Sequence, residues 1–298
     1  MTRANGTFGQ RDVGFDPVEF AQPMTLFGQR PLKLRDLSLC GVHVSWNNIC
    51  DRFQNLRKPE LKNQTYDAGP SFEQFAEMLS SSPRLECLDV SGFCPEHHTG
   101  PPPPADATLR VPVVHLPTLK EFTFGWKNIE LGCEFLRMFQ IGSSLESLAL
   151  LDVQSGLACF EDRQSGERGW DYSSEWIFED LHRLGIAAPR DERDVPPIPF
   201  ICMRGVKRLE IAWTKAGVAE VVKFLGILTE LEDIKLEDVD EDVLKAVTTV
   251  CVNRTREGRL MRVDLMMDVG EGVGERDSNV RGRAYPGSTE RGCRGFLE

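Results

Sequence analysis

Cys94, His97 and His98 are the one concentration of metal-type ligands in this 298-residue sequence. A structural zinc needs four ligands at suitable spacing, and no second Cys/His group lies nearby in sequence, so a loop with two exposed histidines is the expectation. His43, His115 and His182 stand singly. A catalytic histidine needs a nucleophile and an orienting group within reach, and nothing in the sequence supplies them. Gly270, Gly272 and Gly274 follow an apolar stretch in the manner of a dinucleotide loop. The third glycine is misplaced for that motif, and neither a helical pattern nor a distal acid follows it. A G-x-x-x-x-G-K-[ST] phosphate loop and a G-x-S-x-G elbow are both missing from the sequence. The reading is therefore no enzyme, with no catalytic, cofactor-binding or metal-binding residue.

What does recur is a six-residue phrase, L-x-x-L-x-L, with other apolar residues standing in for Leu. It occurs as Leu34-Leu37-Leu39, Leu85-Leu88-Val90, Leu119-Phe122-Phe124 and Leu145-Leu148-Leu150. It returns as Val206-Leu209-Ile211, Leu231-Ile234-Leu236 and Leu260-Val263-Leu265, with a degenerate copy at Leu56-Pro59-Leu61. Successive starts lie 22 to 34 residues apart, save one gap of 61. Most of these spacings fall in or near the range of leucine-rich repeats.

The phrase assigns a chemistry to its variable positions. Its last two apolar residues point into a core, and the alternating neighbours face the other side of the sheet by the period-2 rule. Those neighbours include Asp36, Ser38, Lys58, Glu60, Asp89, Glu121 and Thr123, followed by Arg208, Glu210, Asp233, Lys235, Arg262 and Asp264. Such a mixed, charged strip suits polar protein recognition and is unlike the apolar pockets that small molecules prefer. Its partner is expected to be one or more protein clients.

Between the phrases the period changes. Ser71 to Leu79 (SFEQFAEML) opens with a capping box, Ser71 and Gln74, and continues with helical spacing. Residues 129–141, 217–228 and 240–252 read as helices in the same way, the last with Asp240 as N-cap. Strands alternating with helices imply a parallel sheet with crossover connections. Residues 181–186 could be a ninth phrase, but Ile177, Leu181 and Leu184 at i, i+4 and i+7 favour a helix. The fold class is thus α/β, a leucine-rich-repeat solenoid of irregular repeats. Its curved parallel sheet would form the concave face, with helices and loops on the convex face. We divide the chain into a weakly structured lead-in (1–30) and a repeat domain of about eight repeats (31–266) with an insertion near 151–205. Residues 267–298, rich in Gly, Arg and Glu, read as a disordered tail. Pro101 to Pro104 mark an extended surface loop.

Composition sets the outer limits. The net charge is −11, with no basic stripe, which argues against nucleic acid as a partner. The acids from Glu230 to Asp242 read as a solvated face. Nothing approaches the roughly 18 apolar residues of a membrane span, and no signal-peptide core is visible, so no membrane association is expected. The nine cysteines are scattered and odd in number, as expected for reduced thiols in the cytoplasm or nucleus. Trp126 and Trp213, each two residues beyond a phrase, are expected to pack in turns.

The runs LRDLSLCGVHVSWN, NLRKPELKNQTYDAGPSFEQFAEMLSSSPRLECLDVSG and VHLPTLKEFTF resemble the leucine-rich region of F-box-like proteins of mushroom-forming fungi. Ser82-Pro83-Arg84-Leu85-Glu86 and Leu116-Pro117-Thr118-Leu119-Lys120 carry the family's S-P-x-L-E and L-P-x-L-K forms, and MRGVKRLEIAW is similar. The resemblance spans roughly residues 24–266. It implies a substrate-recognition surface of a cullin-type ubiquitin ligase. Residues 1–30 hold no F-box phrase, so contact with the ligase adaptor is expected only from a longer form carrying one. The alternative is a stand-alone repeat scaffold, or a fragment, without a ubiquitin link. Val42, Phe93, Val153 and Val239 replace the Asn or Cys usual after the phrase, which points to an irregular repeat.

Overall fold

Each phrase places apolar side chains on alternate positions, and each becomes a strand that turns them toward one core, buried on every strand but the last, where Val263 and Leu265 are half-buried. In the computed structural model, which describes residues 34–41, 46, 53–62, 70–92, 112–153, 174–186, 199–259 and 261–266, all eight phrases join one sheet. The strands are β1 (Asp36–Cys40), β2 (Lys58–Lys62), β3 (Cys87–Ser91), β5 (Glu121–Trp126), β7 (Ser147–Asp152), β9 (Arg208–Ala212), β10 (Asp233–Glu237) and β11 (Arg262–Met266). They lie side by side in chain order, and every pair is parallel. The fold is therefore α/β with an open, eight-stranded parallel sheet. The lead-in, the tail, the Cys94/His97/His98 group, the proline run and most of the 151–205 insertion lie outside the described residues.

The register aligns the repeats residue for residue. Leu88, Phe122, Leu148, Leu209, Ile234 and Val263 form one ladder; Val90, Phe124, Leu150, Ile211, Leu236 and Leu265 form the next. Backbone bonds at the strand entrances hold it. The carbonyl of Arg35 accepts from the N–H groups of both Arg57 and Lys58, that of Arg57 from Glu86 and Cys87, and that of Glu86 from Lys120 and Glu121. Lys120, Glu146 and Lys207 repeat the arrangement toward the C-terminus. A carbonyl has two lone pairs, and here both are used at each step. Pro59 brings no donor to the ladder, and β2 meets β3 at a single register position, Glu60 opposite Asp89.

The strand exits repeat as well. Gly41, Gly92, Trp213 and Asp238 follow their strands directly and take φ values of 60°, 64°, 54° and 46°. Each donates its N–H to the last residue of the next strand or its structural equivalent: Lys62, Gly125, Glu237 and Met266 respectively. A left-handed turn thus ends these strands, and two of the four positions meet it without glycine.

The helices cover one face only. They are α1 (Phe72–Ser80), α2 (Ile129–Leu136), α3 (Glu175–Ile186), α4 (Val218–Ile227) and α5 (Glu241–Arg256). Ser71 and Gln74 form the expected capping box on α1, and Asp240 caps α5 through the Val243 N–H. α3 settles residues 181–186 as helix. Phe75, Phe122, Phe124, Phe135 and Phe139 interlock between α1, α2 and the sheet, with centroid distances of 5.0 to 6.1 Å. Val153 and Val239, at the unusual post-phrase position, are both buried. On α5, buried Arg254 donates to the carbonyls of Leu225, Leu228 and Leu231, which closes the C-terminal end of α4 with a cation.

One expected helix is shorter than its pattern. The helical reading of 129–141 holds only to Leu136, and Phe139–Ile141 is strand β6. The reason is a second ribbon that the sequence did not announce: β4 (Val114–Leu116), β6 and β8 (Phe200–Ile201) pair in parallel, each just before a main strand. These two- and three-residue strands are too short to show a period of their own. α3 is tied to α2 across this region by Asp180, whose buried carboxylate pairs with Arg137 at 2.7 Å and with Arg183.

Two glycine replacements separate the backbone effects. A Cβ at either Gly41 or Gly226 would meet no atom within 4 Å. Gly41→Ala should cost about 1 kcal/mol, because its left-handed φ penalises any side chain. Gly226→Ala, in helix α4, should stabilise by about 0.5–1 kcal/mol. Urea unfolding of the two variants should give shifts of opposite sign.

Candidate functional site

The buried positions of the strands and the apolar faces of the helices belong to one core, so the other face of the sheet is left open by the described helices. All thirteen residues singled out from the sequence lie on this open face, exposed or half-buried, in two register rows. The first row holds Asp36 opposite Lys58, then Glu121, Ser147, Arg208, Asp233 and Arg262. The second holds Ser38 opposite Glu60, Glu60 opposite Asp89, then Thr123, Ala149, Glu210, Lys235 and Asp264.

There is a third row, of which the alternation read from the sequence includes only Lys62. It runs Cys40, Lys62, then Ser91, Gly125, Leu151 and Ala212, and on to Glu237 and Met266. Its signal is one more alternation: the residue following the last apolar position is exposed or half-buried in six of the eight phrases, Gly125 and Ala212 being buried. Counting the phrase as six residues stops just short of it.

The charges of the face are paired with one another. Lys62 lies 2.8 Å from Asp89 and 3.7 Å from Glu60, which also accepts from Ser38 Oγ at 3.0 Å. Lys235 sits between Glu210 and Glu237, the latter at 3.2 Å. Arg262 lies 3.3 Å from Asp233 and 3.2 Å from Asp264. Arg208 reaches across β7 to Glu121 at 3.4 Å. Three of these cations are thus each held by two carboxylates. The middle of the face is different. On β5, β7 and β9 the second row presents Thr123 and Ala149, with Glu210 at the edge, and the third presents Leu151 between the buried Gly125 and Ala212. Ala149 and Leu151 are half-buried and carry no charge.

Two lysines record the pairing. Burial alone would lower Lys62, but the hydrogen bond to Asp89 and the charges of Asp89 and Glu60 outweigh it and leave the ammonium above its ordinary value. Lys235 behaves alike, with Glu210 and Glu237 overcoming burial. The thiols move against nucleophilic use. Burial, then the Glu121 carboxylate that accepts from its Sγ, pushes Cys87 up to about 11; burial and Asp180 push Cys133 up to about 12. A reactive cysteine needs the opposite shift.

The tryptophans and the histidines are dispersed. Trp46 and Trp126 are buried, and the Trp126 indole N–H finds no acceptor among the described residues. Trp213 is half-buried in its left-handed turn, and Trp176 on α3 is 59% exposed. His115 is exposed on β4 and His182 half-buried on α3. The acids near Glu230 do not form one patch: Asp238 is buried and Asp240 caps α5. Among the described residues no group of three His, Cys, Asp or Glu side chains is placed to hold a metal ion, and no helix is long and apolar enough to cross a membrane.

The raised lysines predict an alkaline loss of stability. A folded-state value above the unfolded 10.5 contributes stability that is fully present below 10.5 and lost as pH rises through the folded value. The variant Lys62→Met with Lys235→Met should therefore be less stable than the parent at pH 9, with the gap closing above pH 10.5 in urea titrations.

Comparisons of the chain with protein-family models, with curated proteins and with solved structures each return no match.

Proposed function

We propose that this chain is a non-enzymatic protein-interaction domain of the leucine-rich-repeat type, and that the open face of its eight-stranded sheet holds a protein client. The observation that carries the reading is the division of labour within each strand. One set of alternate residues builds a single continuous core, while the other set forms an unroofed face whose polar groups hold one another in place. A rigid, preordered face loses little side-chain freedom on binding, which favours protein recognition. The raised thiols of Cys87 and Cys133 are consistent with binding rather than covalent chemistry.

The sequence resemblance carries the reading one step further. It makes the face the substrate-recognition part of an F-box-like protein, selecting clients for a cullin-type ubiquitin ligase. The adaptor would then be engaged by an F-box in a longer form of the protein, away from the sheet.

Affinity purification of the tagged chain beside Ala149→Arg tests both steps. Ala149 is half-buried at the centre of the face, so a long cation there should obstruct a client without entering the core. Clients retained by the parent should fall at least tenfold with Ala149→Arg, while the two proteins melt alike. Equal retention by both would remove the open face as the binding surface. A client held without the ligase adaptor, from the longest form of the protein, would make this a stand-alone binding scaffold. Retention of neither would overturn the ubiquitin reading.

A further inference from the structure

We infer that the partner of the open face is a basic, extended protein segment, with Lys or Arg side chains flanking an aliphatic residue seated over Ala149 and Leu151. This inference rests on the open-face reading and assigns the chemistry of the client.

The charge distribution is the argument. The Lys62, Lys235 and Arg262 groups each contain one cation and two carboxylates, so each keeps a net negative charge after internal pairing. The Arg208–Glu121 pair is neutral. Lys58 on β2 is balanced by Asp36 opposite it on β1, so the surplus negative charge is carried by β1–β3 on one side and by β9–β11 on the other. Between these flanks the second and third rows offer the uncharged, half-buried Ala149 and Leu151 of β7. An apolar centre with a charged rim is the anatomy of a protein interface, and this rim has one sign in excess.

The spacing follows from the sheet. Asp89 on β3 and Lys235 on β10 are separated by β5, β7 and β9. Four steps of about 4.8 Å place them about 19 Å apart. An extended chain laid across the strands covers that distance in about six residues. The face therefore fits a segment whose basic residues stand about six positions apart with a Leu or Val at an even offset between them, so that all three side chains turn toward the sheet. Each carboxylate pair would gain a second cation, replacing a shared ion pair by two direct ones. A nucleic acid or an acidic segment would meet like charge on both flanks.

Fluorescence anisotropy with synthetic peptides tests this directly. The probe is a labelled extended peptide bearing two Lys about six residues apart around a Leu; its counterpart carries Glu at both Lys positions. The Lys peptide should bind with a Kd on the order of 100 µM or tighter, weakening as salt is raised, and the Glu peptide at least tenfold more weakly. In the variant Glu210→Gln with Glu237→Gln, the Lys peptide should lose at least fivefold. Changing the peptide charges needs no protein variant, so the result survives if that double variant folds poorly. Equal affinity for the two peptides, or binding of neither, would overturn the inference. The open-face reading would then still stand if Ala149→Arg loses its clients in the purification, and would fall with it if the clients remain.

Discussion

The arrangement on which the rest depends is a backbone carbonyl that accepts two N–H groups from the next repeat. From Arg35 through Arg57, Glu86, Lys120, Glu146 and Lys207, this junction recurs at the entrance of successive strands. It fixes where each phrase begins relative to its neighbour, whatever the length of the intervening loop. Register matters because side chains alternate: a slip of one residue would turn the leucines outward and the charges inward. The insertion between β7 and β9 shows how strong the constraint is. Despite the longest gap between phrases, Glu146 still accepts from Lys207 and Arg208, and the two strands stay aligned over five residue pairs.

Once register is held, core and surface follow from the same residues. The phrase leucines and phenylalanines stack into ladders and take the helices on one side, while the intervening positions meet across strands on the other. Exposed ion pairs of this kind add little to stability individually. Their consequence here is order: Lys62, Lys235 and Arg262 each link carboxylates within or between neighbouring strands, so the face is patterned before any partner arrives. The uncharged strip over β7 interrupts that pattern at the centre of the sheet.

Much of this was legible in the sequence because it rests on local periodicity. The eight phrases marked every strand of the main sheet, including the Pro59 copy, and the thirteen chosen neighbours all lie on the open face. The Ser71–Gln74 box and Asp240 marked two helix starts through side-chain acceptors close in sequence. What escaped depends on distant pairing. Val114–Leu116, Phe139–Ile141 and Phe200–Ile201 become strands only because they meet one another, and the apparent helix running to Ile141 yields at Leu136 to that ribbon. The ion-pair groupings also required the register, since Glu210 and Lys235 lie 25 residues apart in sequence. Leu151, the apolar centre of the face, lies just beyond the six-residue phrase, and it points to the side opposite its neighbour Leu150.

The proposed client contact lies on the sheet and away from the helices, and site-specific photocrosslinking distinguishes these most directly. A photoreactive residue at Ser147, half-buried on the open face of β7, should crosslink a client protein, whereas the same residue at Lys223, exposed on α4, should not. Crosslinking from Lys223 with none from Ser147 would contradict the account, because it would put recognition on the helical side and leave the patterned face without a partner.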